Sequence, residues 1–169
     1  MTLIPLTPKD REWIPALGEV FFQVVDGGAS LGFLSDVDEP QMREYWEAVF
    51  DQLGPRHRLW VLQERGQVLG TVQLALCGKP NGRHRAEVQK LMVHPDARRR
   101  GVAAQLMEAV EAAAREAELS LLVLDTEAQS PAEDFYRSQG WQRTGEIPNF
   151  AANPDGSLHA TALYWKLLA

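Results

Sequence analysis

The feature that most constrains this chain is one junction between a strand and a helix. A strand-like run, Gln89-Lys90-Leu91-Met92-Val93, stops at His94-Pro95. A polar loop with three consecutive arginines follows: Arg98, Arg99 and Arg100. Gly101-Val102-Ala103 then opens a long helix of apolar periodicity. The first turn of a helix carries backbone N–H groups without intrahelical partners. Together with the positive end of the helix dipole, these make an anion site. Gly101 and Ala103 leave the backbone open to close approach, so the segment reads as a cradle for a diphosphate.

Composition narrows the remaining possibilities. A chain of 169 residues predicts one domain, residues 1–169, with a full core. Hydrophobic residues make up 45% and charged residues 24%, which excludes a disordered chain. A net charge of -6 argues against a general nucleic-acid partner. Cys77 is the only cysteine, so an intrachain disulfide is excluded. The segment Met1-Thr2-Leu3-Ile4-Pro5 lacks signal-peptide character, and no apolar run reaches spanning length. The expectation is a cytoplasmic protein with no membrane partner, either a monomer or a homodimer. His57, His84, His94 and His159 lack metal-ligand spacing, so no metal is expected.

Periodicity predicts the elements. Residues 2–6 read as an edge strand. Thr7-Pro8-Lys9-Asp10 reads as a helix N-cap with proline at the first position. Trp13, Ile14, Leu17, Val20, Phe21 and Val24 recur at helical spacing up to the turn Asp26-Gly27-Gly28-Ala29-Ser30. Pro15 marks either a kink or a later start. A second helix covers residues 39–53. Strands follow at 58–63, 67–77 and 86–93, the first two joined by Glu64-Arg65-Gly66. A helix covers 102–119, and a continuous apolar strand 121–125. Ser130-Pro131 caps a short helix ending at Gly140. Two last strands span 141–147 and 159–167. This order implies an α+β fold with helices on both faces of the sheet.

The junction resembles the acetyl-CoA loop of the GNAT superfamily of N-acetyltransferases. That loop reads Gln or Arg, two residues, Gly, one residue, Gly or Ala; here it is Arg98-Arg99-Arg100-Gly101-Val102-Ala103. Leu91-x-Val93-x-Pro95 before it, and Ala132-x-x-Phe135-Tyr136 with Gly140-Trp141 after it, fall where the family expects them. The resemblance implies the GNAT fold, with a mixed, mostly antiparallel sheet. It also implies acetyl-CoA as cosubstrate, and a pantetheine arm lying along the backbone of Leu91, Met92 and Val93. Ala132 and Gln129 fall in the implied cofactor contacts. Many family members have asparagine where Gln129 stands.

Acetyl transfer to an amine needs a base for the ammonium proton, a donor for the thioester oxygen and an acid for the leaving thiolate. A lysine-like amine has a pKa of about 10.4 and arrives mostly protonated. Glu87 and Asp125 are the candidate bases, and each also reads as an ordinary solvated or turn carboxylate. The resemblance gives the acid role to Tyr136. In some family members a glutamate at the place of Glu87 is the base.

A closer resemblance runs through the second half, to the tabtoxin-resistance acetyltransferases. It covers His84 through Val93, Leu124-Asp125-Thr126-Glu127-Ala128, Gly145-Glu146-Ile147-Pro148 and Pro154-Asp155-Gly156. It implies an acetyl-CoA-dependent N-acetyltransferase acting on a primary amine of a small, amino-acid-like toxin or antibiotic, by direct attack in a ternary complex. Acetylation of a protein lysine or N-terminus, and a non-catalytic acyl-CoA-binding regulatory module, are the alternatives.

Overall fold

The computed structural model describes residues 1–29 and 31–168. Ser30, read above as belonging to a turn, and Ala169, the end of the expected domain, lie outside the described residues. Seven strands, β1 (Thr2–Leu6), β2 (His57–Glu64), β3 (Gln67–Leu76), β4 (Arg85–Val93), β5 (Leu121–Glu127), β6 (Gln142–Ala152) and β7 (Leu158–Leu167), form one sheet. Its order is β1-β2-β3-β4-β5-β7-β6. Only β4 and β5 pair in parallel; every other neighbour pair is antiparallel. The expected mixed, mostly antiparallel sheet is therefore present.

Helices α1 (Ile14–Asp26) and α2 (Glu39–Gln52) cover one face of the sheet. Helices α3 (Val102–Glu116) and α4 (Pro131–Ser138) belong to the other. Alternation along β2 feeds both layers, as a strand's period of two requires. Leu59 and Val61 join the core under α1 and α2, while Trp60 and Leu62 join the core under α3. Gly70 of β3 is where α3 comes closest. A Cβ there would meet Val102 Cγ1 at 2.5 Å and Leu106 Cδ1 at 2.9 Å.

Three local expectations are corrected. Thr7 does not cap α1; its N–H and hydroxyl close a turn onto Asp10 at 2.7 and 2.9 Å. The helix begins at Ile14, with Pro15 in its first turn, where its missing N–H costs nothing. The Ser130 hydroxyl donates to the Glu127 carbonyl at 2.6 Å instead of capping α4. β6 continues to Ala152, past the expected stop at Ile147.

Candidate active site

The parallel pairing of β4 with β5 covers only Arg85, Ala86 and Glu87, opposite Leu121, Leu122 and Val123. Beyond Glu87 the strands diverge and open a cleft of about 1110 Å³. A bulge in β4 accompanies the divergence. Thr71 pairs with Met92 and Gln73 with Gln89, so Lys90 and Leu91 together face Val72. Lys90 takes the extra turn with φ of 54°. A bulge of this kind shifts the facing of every later residue by one. Ala86 and Val88 point into the α3 core before it, and Leu91 and Val93 pack on that core after it. Glu87 precedes the bulge on the opposite face, and Met92 follows it there.

The α3 end of the cleft is built for an anion. Gly101 is the N-cap, with φ of 76° and no side-chain cap. Nothing lies within 4 Å of where its Cβ would be, so glycine serves the left-handed backbone there and leaves the helix end uncovered. The first backbone bond at this end runs from Gln105 N–H to the Gly101 carbonyl. The N–H groups of Val102, Ala103 and Ala104 precede it and lack intrahelical acceptors. Arg98, Arg99, Gly101, Val102 and Ala103 line the cleft. Arg100 does not: its guanidinium pairs with Glu64 at 3.0 Å. These donors suit a diphosphate. The free edge of β4 along Leu91, Met92 and Val93 suits an extended amide-bearing arm.

Glu87, Asp125, Ala132 and Tyr136 line the same cleft. Glu87 is opposite Val123, and Asp125 lies two residues further along β5, so both carboxylates are on one face. Both are exposed. The Thr161 hydroxyl, itself buried, donates toward Asp125 Oδ2 and the Thr126 carbonyl, each at 3.0 Å. Tyr136 is 6% exposed, and its hydroxyl has no hydrogen-bond partner among the described residues. Its ring packs edge-on against Phe135 and Trp141. Burial, and after it the charge of Asp125, push its pKa above that of an ordinary phenol.

Gln129 is placed apart from the cleft. It occupies a left-handed turn with φ of 64°, and its N–H donates to Glu133 Oε2 at 2.7 Å. Sequence reasoning missed Glu133, a buried carboxylate that also accepts from Tyr164 Oη at 2.6 Å and Arg143 Nε at 2.8 Å. It fastens α4 to β6 and β7. Burial alone would raise its pKa; the bonds from Tyr164, Arg143 and the Gln129 N–H outweigh that and bring it to about 2. Sequence reasoning also missed Lys90 and His159, which line the cleft. His159 Nδ1 lies 2.9 Å from the Ala160 carbonyl, while its Nε2 is buried without a partner among the described residues.

The sequence pattern of the acetyltransferase (GNAT) family matches residues 17–141, a span that includes the cleft's α3 end, both carboxylates and Tyr136. The chain belongs to the GNAT family. The family's cosubstrate is acetyl-CoA, which agrees with the anion-binding helix end and free strand edge. N-acetyltransferase 8 of Rattus norvegicus is 36% identical over 89 residues, 52% of this chain. The chain matches only 40% of that relative's length. Solved structures share the fold across nearly the whole chain. A ribosomal-protein-alanine N-acetyltransferase from Brucella melitensis superposes with a TM-score of 0.78 at 22% identity, covering 99% of this chain and 100% of that one. The yncA protein of Salmonella typhimurium, solved with its cofactor acetyl-CoA, gives 0.76 at 19% identity, covering 100% and 95%.

Proposed function

We propose that residues 1–169 form one acetyltransferase unit that moves an acetyl group from acetyl-CoA to the primary amine of a small, amino-acid-like molecule by direct attack. The observation that carries this reading is the convergence in one cleft of an uncovered helix end, a free strand edge, two carboxylates and a buried tyrosine. Bound acetyl-CoA supplies an activated acetyl thioester. The chain's own groups do the rest. The N–H groups at the start of α3, flanked by Arg98 and Arg99, hold phosphate. Glu87 and Asp125 draw a cationic amine and accept its proton. Thr161 aims Asp125. Tyr136 stays neutral at working pH because its pKa is raised. It therefore offers a hydrogen bond to a departing thiolate; outright proton transfer is uphill from so weak an acid. The amino-acid-like acceptor rests on the second-half sequence resemblance.

The test is thiol release from acetyl-CoA with a panel of L-lysine, L-ornithine, tyramine, spermidine and a peptide with a free N-terminal alanine. Release that depends on a small amine, with N-acetylated product in equal amount, supports the reading. Release with the peptide alone moves the acceptor to protein N-termini. Acetyl-CoA binding without release from any amine favours the regulatory module.

A further inference from the structure

The bulge in β4 does more than let the sheet open. Strict alternation from Glu87 would put Lys90 on the α3 side of the sheet. At the bulge its side chain instead reaches Leu31, which belongs to the core under α1 and α2. There the Lys90 ammonium donates to the Leu31 carbonyl at 2.8 Å. It also lies 3.5 Å from where a Cβ on Gly32 would be. Leu31 and Gly32 belong to the connection between α1 and α2, and both line the cleft. Leu31 is buried in the core under those helices. Burial lowers the pKa of this ammonium, and the charges of Asp125 and Glu87 act against that. One side chain thus joins the strand beside the thioester position to the wall that faces the two carboxylates.

We infer that Lys90 is a positioning residue of the acceptor site: it tethers the Leu31–Gly32 turn across the cleft from Glu87 and Asp125 and offsets one of their two charges. The inference rests on the acyl-transfer reading for the word acceptor, but the tether is geometric. It follows that Glu87, Asp125 and Lys90 together keep one net negative charge, suited to a singly charged ammonium. Lys90→Met removes both the bond and the charge while keeping a long apolar stem. Lys90→Arg keeps charge and donors.

The experiment has two arms, both on the full chain. In the first, amide hydrogen exchange of peptides covering residues 27–37 is compared among wild type, Lys90→Met and Lys90→Arg without ligand. Loss of one charged hydrogen bond should speed exchange there about fivefold or more in Lys90→Met, with exchange elsewhere unchanged and Lys90→Arg close to wild type. In the second, steady-state kinetics use the panel amine that wild type turns over fastest. The amine KM should rise about three- to tenfold in Lys90→Met with kcat and acetyl-CoA affinity nearly constant, and Lys90→Arg should recover most of it. Unchanged exchange at 27–37 overturns the tether. An unchanged amine KM, or a Lys90→Arg variant as impaired as Lys90→Met, overturns the positioning role. If wild type turns over no amine, the acyl-transfer reading falls, and the tether stands or falls on exchange alone.

Discussion

At the scale of single residues, Tyr136 and the two carboxylates face opposite demands. Tyr136 sits where a phenolate is penalised by burial and by Asp125, so in the proposed reaction its hydroxyl is a neutral donor. Tyr136→Phe keeps the ring against Phe135 and Trp141. Acetyl-CoA affinity should hold while kcat falls by about a hundred-fold or more, the usual loss when one donor to developing negative charge is removed; calorimetry and saturating-amine kinetics measure both. Glu87 and Asp125 are exposed and free to collect a proton from the amine. Glu87→Gln and Asp125→Asn should cost most at low pH, where amine is almost wholly protonated. The loss should shrink as pH climbs toward the amine's own pKa of about 10.4. Asp125→Asn should show the larger effect, since Thr161 fixes that carboxylate and no such bond holds Glu87 among the described residues. Turnover against pH for each single variant checks this; a loss constant across pH would mean that the carboxylates only place the amine.

At the scale of elements, the approach of α3 to β3 sets the anion site. Gly70→Ala would drive a methyl into Val102 and Leu106, the first turns of α3. Overpacking of this kind costs about 1–3 kcal/mol. The variant should lose that much stability in denaturant titration and bind acetyl-CoA more weakly, because relief requires α3 to move. Glu133 governs the other helix of the site. Its folded-state pKa of about 2 lies below the unfolded value of about 4.3. The stability it contributes is therefore complete above that unfolded value and is lost as pH falls toward 2. Thermal melts from neutral pH down should show Glu133→Gln less stable than wild type at neutrality, with the gap closing across that interval. The elements themselves were legible because their apolar patterns are regular, as in Leu17-Val20-Phe21-Val24 of α1 or the apolar run of β5, of which Leu122 and Leu124 are buried while Leu121 and Val123 are only partly so, short of the two-sided burial expected of it. The left-handed helix start at Gly101 was legible because glycine at a helix start carries a backbone requirement. The bulge was not. Nothing in Gln89-Lys90-Leu91 marks Lys90 as left-handed, and without that the facing of Lys90 comes out reversed. Arg100 was misplaced for a related reason: position beside a motif fixes the backbone, while the Glu64 carboxylate that claims its guanidinium lies elsewhere in the chain. Thr161 and Glu133 act through long-range pairs that no local pattern announces.

At the scale of the whole molecule, one sheet that opens between β4 and β5 brings the two halves of the proposed transfer together. The α3 side holds the anion-binding helix end, and the α1–α2 side presents the carboxylates and the lysine-tethered wall. In the proposed reaction donor and acceptor meet in this one cleft, both bound before transfer occurs. The chain's one cysteine, Cys77, is not among the cleft's lining residues, so no thiol there is placed to carry the acetyl group. Initial rates measured while acetyl-CoA and the best panel amine are varied together test this most directly. Direct transfer predicts lines that intersect in the double-reciprocal plot. Parallel lines, the mark of an acetylated enzyme formed before the amine binds, would contradict it.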